Sequence, residues 1–293
     1  MASAGAAPRF IEFANAGACF FANVFDRRTQ HAICPSICTG FASTEGMALR
    51  KALSEYIERR AYAHAAAKSL EWASVAGTDG LAAYPTDVGV GVAVEAAREN
   101  AICEAVERFA WASWWDNDAI KFDLEEDYRP SRDEKGSQFL LSALNDRVPF
   151  RRILAVKPRI RDASFQLIIL FAELRAGGYL SGGACDRAKS QNARSERAAA
   201  EIFRHGLAFR RMEQGLTCEM SFYERRLWYF ATGQGDALVA RRLRANGRQE
   251  VSLPPLRLDL PVQHDLASLA AVHRCVFDGQ PPFVAGALER LCL

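Results

Sequence analysis

The stretch N-A-I-C-E-A-V-E-R, from Asn100 to Arg108, decides how the rest of this chain is read. On a helix its Asn100, Glu104, Glu107 and Arg108 are offset by four, three and one residues, which places them on or beside one face. Carboxylates held that close repel each other unless solvent, a cation or an arginine lies between them. Upstream, K-A-L-S-E-Y-I-E-R runs from Lys51 to Arg59 and sets Glu55, Glu58 and Arg59 in nearly the same spacing. One Glu-x-x-Glu-Arg most often marks a solvated helix face with local ion pairs. Two in one chain point to a shared purpose.

Both copies follow a small-residue or glycine-bearing stretch. C-T-G-F-A-S-T-E-G, from Cys38 to Gly46, ends in helix-start chemistry with Ser43 or Thr44 as N-cap, and an alanine-rich helix is expected from Glu45 to about Ala67. Ala48, Ala52 and Ala63 would let that helix pack closely on a sheet. V-G-V-G-V-A-V-E-A-A, from Val88 to Ala97, reads as a strand or glycine loop in its first half and as a helix start in its second. That helix is expected to reach Trp115, with Trp111, Trp114 and Trp115 as packing residues. A third, looser copy joins Y-L-S-G-G-A-C-D, Tyr179 to Asp186, to N-A-R-S-E-R-A-A-A-E-I-F-R-H, Asn192 to His205.

Between these lie short apolar runs that read as strands: Phe10 to Phe13, Cys19 to Phe25, Arg152 to Lys157 and Phe165 to Leu174. Asp123 to Ser137 is polar and reads as a surface connection. Beyond Trp228 a helix is expected over Asp236 to Arg244 and a break at Pro254 and Pro255. After them come a short helix or strand within Leu266 to Phe277 and a final helix over Phe283 to Leu291. Repetition at unequal spacing is not a solenoid. It predicts an α+β fold, a single domain over residues 1–293 built from related strand–helix pieces, with its motifs between about 39 and 205.

Composition narrows the class. The 293 residues are 49% hydrophobic and 25% charged, ordinary for a globular chain, and a net charge of +2 is too small to imply nucleic acid or an acidic membrane. No stretch is long and apolar enough to span a bilayer. Met1 to Pro8 lacks the basic flank and apolar core of an export signal and reads as a short tail. The eight cysteines are irregularly spaced, so reduced thiols and a cytoplasmic setting are expected. His31, Cys34 and Cys38 are a fragment of a zinc pattern that no second pair completes.

Carboxylates gathered without equal cationic compensation are a natural seat for magnesium, which takes oxygen ligands and keeps substrate phosphates and waters. Arginines beside them can hold phosphate oxygens. The parts suit a nucleoside triphosphate held through metal ions, without a Walker loop or a G-x-G-x-x-G, neither of which occurs in the sequence.

The three motifs, in this order, resemble the YcaO family of ATP-dependent enzymes that activate a peptide backbone amide. That family carries S-A-x-x-E-x-x-E-R, then A-x-x-x-A-x-x-E-x-x-E-R-D often followed by W-W, then G-A-x-x-D and R-A-x-x-E. The matching stretches are Lys51 to Arg59, Glu104 to Trp115, G-A-C-D at Gly183 to Asp186 and R-A-A-A-E at Arg197 to Glu201. The resemblance implies strand–helix units around a central ATP and magnesium site. Glu55, Glu58, Glu104, Glu107 and Glu201 would be magnesium ligands, and Lys51, Arg59, Asn100 and Arg108 nucleotide contacts. No catalytic base or nucleophile is singled out.

It further implies O-phosphorylation of a backbone amide in a ribosomally made precursor peptide, giving an azoline ring or a thioamide. A partner protein would deliver the substrate, since no peptide-clamp segment is evident, and a homodimer stays open as the assembly. The chain also departs from the family. Lys51 replaces the serine before the first Glu, G-F-A at Gly40 to Ala42 replaces G-K-G, and Phe109 replaces the Asp after the second Arg. Extra residues separate Asp186 from Arg197, and the A-L-E-R-L-C-L end lacks the proline-rich tail of many azoline-forming members. These departures support an alternative, a degenerate subunit that binds peptide or a partner enzyme without turnover.

Overall fold

The computed structural model describes residues 10–16, 19–25, 37–66, 80–187, 191–215, 220–281 and 287–290. They form two compact units. Residues 1–102 and 256–276 make the first, and 103–255 and 277–293 the second. The architecture is α+β, as expected.

In the first unit β1 (Phe10–Ala16), β2 (Cys19–Phe25) and β3 (Ile37–Ala42) form an antiparallel sheet in that order. Helix α1 (Glu45–Ala66) packs on β2 and β3. The contact is close because a Cβ at Gly40 would lie 1.9 Å from the Ala48 carbonyl oxygen and 2.5 Å from the Ala52 nitrogen. Ala48 and Ala52 are both fully buried, so small residues on both sides set this distance. A second sheet has the order β4 (Leu81–Pro85), β10 (Ala270–Phe277), β9 (Leu256–Pro261). Tyr56, Tyr62, Leu81, Val262 and Val272 join the same buried cluster as α1.

Helix α2 (Val90–Asp116) begins inside the V-G-V-G-V run, so Val90 to Val92, part of the half expected as a strand or glycine loop, are helical. The reason is visible in the side chains. Val90 and Val92 are exposed, so the alternation of valine and glycine buries nothing and cannot specify a sheet face. Gly89, at φ 101°, turns the chain out of a short 3₁₀ segment, and its carbonyl accepts the first helical bond, from Ala93.

The second unit holds a four-stranded antiparallel sheet in sequence order: β5 (Phe122–Glu125), β6 (Phe150–Pro158), β7 (Gln166–Leu174) and β8 (Tyr179–Asp186). Helix α3 (Lys135–Arg147) precedes β6, and α4 (Gln191–Glu213), α5 (Phe222–Ala231) and α6 (Asp236–Arg244) follow β8. The polar stretch from Asp123 to Ser137 therefore carries most of β5 and the start of α3 rather than a plain connection.

Strand β7 is buried along almost its whole length, which explains its unbroken apolar run. Its two faces are covered differently. A Cβ at Gly183 would lie 2.5 Å from the Trp111 ring of α2, whereas one at Gly182 would lie 2.5 Å from the Ala198 carbonyl oxygen of α4. Successive residues of a strand face opposite ways, so the Gly182-Gly183 pair lets a helix approach β8 closely from each side. Trp114 continues the α2 face onto Phe171 and Phe122, at ring separations of 6.1 and 5.5 Å.

Helices α3 and α5 and strands β4 and β9 are not singled out by the sequence reading. The hydrogen-bonded turn from Ala287 to Arg290 is not helical, and most of the expected final helix lies outside the described residues. The tail before Phe10, His31 and Cys34 also lie outside them; Cys38 is buried. Among the described residues no helix is long and apolar enough to cross a membrane.

Candidate functional site

Strand β8 ends its sheet, and the outward backbone groups of an end strand need partners from elsewhere. They are met by charged side chains. The Gly183 N–H donates to Glu201 Oε2 at 2.7 Å, and the Cys185 N–H donates to Glu107 Oε2 at 3.1 Å. The Cys185 carbonyl accepts from Arg197 Nη2 at 2.7 Å. Glu201 comes from α4 and Glu107 from α2, so the helices on opposite faces of the sheet each send a carboxylate to the same edge.

Glu104 and Arg108 stand beside this pair on α2, with Arg108 Nε 3.6 Å from Glu104 Oε1. This is an ion-pair distance rather than a hydrogen bond. Asp186, the last residue of G-A-C-D, is neutralised by Arg194 at 2.6 Å and Arg197 at 3.4 Å. It braces arginines and offers little to a ligand.

The two carboxyl groups are driven apart electrostatically. Burial pushes Glu107 above the usual carboxylate range, and Glu201 adds to that, while Arg108 and Arg197 oppose it. Burial also works against ionised Glu201, but His205, Arg108, Arg204 and the Gly183 N–H outweigh it and hold Glu201 below that range. Burial lowers His205 itself to about 4. Two neighbouring carboxyls displaced in opposite directions are a proton-sharing pair, or the two halves of a cation seat. Cys185, pushed well above the thiol range by burial and by Glu107, stays protonated and is no nucleophile.

His205 is held at both ends. Nδ1 meets the Ser181 carbonyl at 2.6 Å and Nε2 meets the Tyr223 hydroxyl. A neutral ring that donates from Nδ1 to the carbonyl accepts the tyrosine proton at Nε2.

The first unit builds a related edge. The Thr39 N–H donates to Glu55 Oε2 at 2.7 Å, Arg59 binds Glu55 Oε1, and Lys51 Nζ donates to the Phe41 carbonyl at 2.8 Å. The close approach of Gly40 to Ala48, Lys51 and Ala52 is that of Gly182 to Ala198, Glu201 and Ile202. Counted along each helix from the alanine that meets its glycine, Ala48 or Ala198, Lys51 takes the place of Glu201, and Glu55 the place of His205. The same backbone positions are bonded with opposite polarity. Glu58 lies close enough to Arg59 to reinforce its charge.

Of the residues expected from sequence, Lys51, Glu55, Glu58, Arg59 and the exposed Asn100 belong to the first unit, and Glu104, Glu107, Arg108 and Glu201 to the second. The sequence reading missed the amides of Gly183 and Cys185, the reach of Arg197 to a strand carbonyl, and the His205–Tyr223 contact. The glycine pair was the available signal, because consecutive glycines in a strand mark close backbone approach.

No protein-family profile matches this sequence, and no curated protein matches it. Solved structures do. YcaO from Methanopyrus kandleri, bound with AMPPCP and Mg2+, aligns with a TM-score of 0.55 at 14% identity, over 96% of this chain and 88% of that one. A chain of the E. coli microcin synthetase McbBCD complex with pro-MccB17 bound aligns with a TM-score of 0.65 at 12% identity, over 94% and 89%. The chain has a YcaO-like fold.

Proposed function

We propose that this chain is a magnesium- and ATP-dependent enzyme that activates a backbone amide of a ribosomally made peptide by O-phosphorylation. The observation that carries this reading is the pairing of Glu107 and Glu201 on neighbouring outward amides of β8, beside Glu104, Arg108 and Arg197. Each of the two spends Oε2 on the strand, which fixes the carboxylate, and Glu201 Oε1 accepts only a long contact from Arg204 Nη2, at 3.5 Å. All the acidic donors are hard oxygens, which fits magnesium and not a softer metal. A bound cation would also offset the burial that drives Glu107 toward its protonated form.

Glu104, Glu107 and Glu201 are the magnesium ligands of this proposal, with Glu55 and Glu58 in the same role in the first unit. Arg59, Arg108, Lys51 and Asn100 are its nucleotide contacts. Bound magnesium supplies charge neutralisation to phosphoryl transfer, and phosphate makes the amide oxygen a competent leaving group. Attack by a Cys, Ser or Thr side chain of the peptide gives an azoline; attack by external sulfide gives a thioamide. The two structural relatives support the nucleotide, since one is bound with AMPPCP and Mg2+, and the peptide, since the other is a synthetase complex with pro-MccB17 bound. A precursor peptide and a protein that delivers it are the partners of this reading, and the cytoplasm is its setting.

Lys51 favours a second reading. It places an ammonium where the second unit has Glu201, and it spends that ammonium on the Phe41 carbonyl. A chain with an ammonium at this one acidic position suits a subunit that binds peptide or a partner enzyme without turnover.

Mass spectrometry separates the two. The chain is incubated with ATP, magnesium and a short Cys- or Ser-rich peptide encoded beside it, with and without sulfide. Loss of one water, or exchange of one oxygen for sulfur, coupled to ADP formation, is the expected result. Peptide binding with no ADP formed under either condition selects the subunit reading.

A further inference from the structure

A second cluster, in the first unit, has no part in the reading above. His273 and Cys275 alternate on β10 and so face the same way, and Asp259 lies on the neighbouring strand β9. Asp259 Oδ1 is 2.8 Å from His273 Nε2 and 3.6 Å from Cys275 Sγ, and the three ligand atoms lie within 4.8 Å of one another. Arg98 fixes the carboxylate, its Nε 2.9 Å from Oδ1 and 3.2 Å from Oδ2. Three donors thus converge on one oxygen, and two of them, an imidazole N–H and a thiol, carry protons that a metal ion can replace.

We infer that Asp259, His273 and Cys275 form a site for a zinc-like divalent cation. Thiolate and imidazole select zinc or cobalt over magnesium, so this site differs in kind from the all-oxygen seat of Glu104, Glu107 and Glu201. A tetrahedral zinc spaces its ligand atoms by about 3.3–3.5 Å, given bonds of 2.0 to 2.3 Å. The Asp259–His273 contact needs to open by about half an ångström to reach this, and the Asp259–Cys275 contact is already there. His273 and Cys275 are buried, and Asp259 is the exposed member of the three. His273 Nδ1 has no hydrogen-bond partner among the described residues, so nothing there pins the tautomer. On binding, the Cys275 thiol proton leaves to solvent, the His273 proton moves from Nε2 to Nδ1, and one proton is released per ion.

A nucleophilic cysteine is the rival reading of the same residues. It fails on geometry, because the Cys275 sulfur is fully buried and donates to Asp259 Oδ1, an oxygen that Arg98 and His273 already hold.

The test uses the full chain, metal-stripped and titrated with Co2+ and Zn2+. The expected result is one equivalent bound, a thiolate-to-cobalt charge-transfer band in the near ultraviolet, and one proton released. Cys275→Ser should lose the band. Asp259→Asn, at a partly exposed position where folding is least at risk, should weaken zinc by more than about ten-fold with an unchanged far-ultraviolet spectrum. Absence of the band, its persistence in Cys275→Ser, or unchanged affinity in Asp259→Asn overturns the proposal. None of these outcomes depends on ATP or magnesium binding elsewhere in the chain.

Discussion

Glu107 and Glu201 accept hydrogen bonds from amides two residues apart on one edge of β8, yet their carboxyl groups are pushed in opposite directions. Burial pushes Glu107 toward its neutral form, whereas His205, Arg108 and Arg204 hold Glu201 below the usual carboxylate range. Under the proposed reading, a bound cation would offset the burial that opposes ionised Glu107.

The Glu107→Gln exchange separates fold from function here. Glutamine keeps an oxygen for the Cys185 amide and has no charge to desolvate. A carboxyl raised on folding binds more protons in the folded state, so its contribution to stability falls as pH rises above its ordinary value of 4.5. The variant should therefore be within about 1 kcal/mol of the parent near pH 5 and gain on it as pH rises. Denaturant midpoints at pH 5 and pH 8 without magnesium check this; a variant that loses ground at pH 8 contradicts it.

His205 gives the opposite pH dependence. Its ordinary value of 6.5 is lowered to about 4 by burial, so between these values the unfolded chain binds more protons than the folded one. The stability it contributes is whole above pH 6.5 and drains as pH falls toward 4, by about 3 kcal/mol at the limit. His205→Gln should flatten that part of the stability profile. An identical slope in both proteins would place the titration elsewhere.

Two glycines should respond in opposite senses. Gly182→Ala drives a methyl into the Ala198 carbonyl and the Ile202 nitrogen, both backbone atoms that cannot swing aside, and should cost about 3 kcal/mol or more. Gly91→Ala meets nothing within 4 Å inside a helix and should gain somewhat under 1 kcal/mol. Thermal melts of the two variants decide it.

Lys51 should separate binding from folding. It is exposed and donates to the Phe41 carbonyl, a surface bond, so Lys51→Ala should change stability by about 1 kcal/mol. As a nucleotide contact, it should raise the KM for ATP about ten-fold, the worth of one charge-assisted bond. An unchanged KM would leave it an edge cap for β3.

The helices carrying Glu55 and Glu107 were legible because glutamate and arginine at helical spacing survive in any reading of the sequence. So was β7, whose apolar run follows from burial on both faces. The edge of β8 was not. Which strand ends a sheet is a fact of topology, and the partnership of Cys185 with Glu107, 78 positions apart, leaves no local trace. V-G-V-G-V misled for a related reason, since valine alternation signals a sheet face only where one set of side chains is buried, and Val90 and Val92 are exposed. The third motif was readable as Gly183 to Asp186 and Arg197 to Glu201, but the replacement of its carboxylate by Lys51 in the first unit needs the contacts of Gly40 and Gly182 to be seen.

Calorimetric titration with ATP tests the central claim most directly, in magnesium and again in chelator, on the parent chain, Glu107→Gln and Glu201→Gln. Binding in magnesium that disappears in chelator and falls at least about a hundred-fold in either variant is the result predicted from two carboxylates sharing one cation seat. Binding of equal strength in chelator, or unchanged in both folded variants, would contradict it.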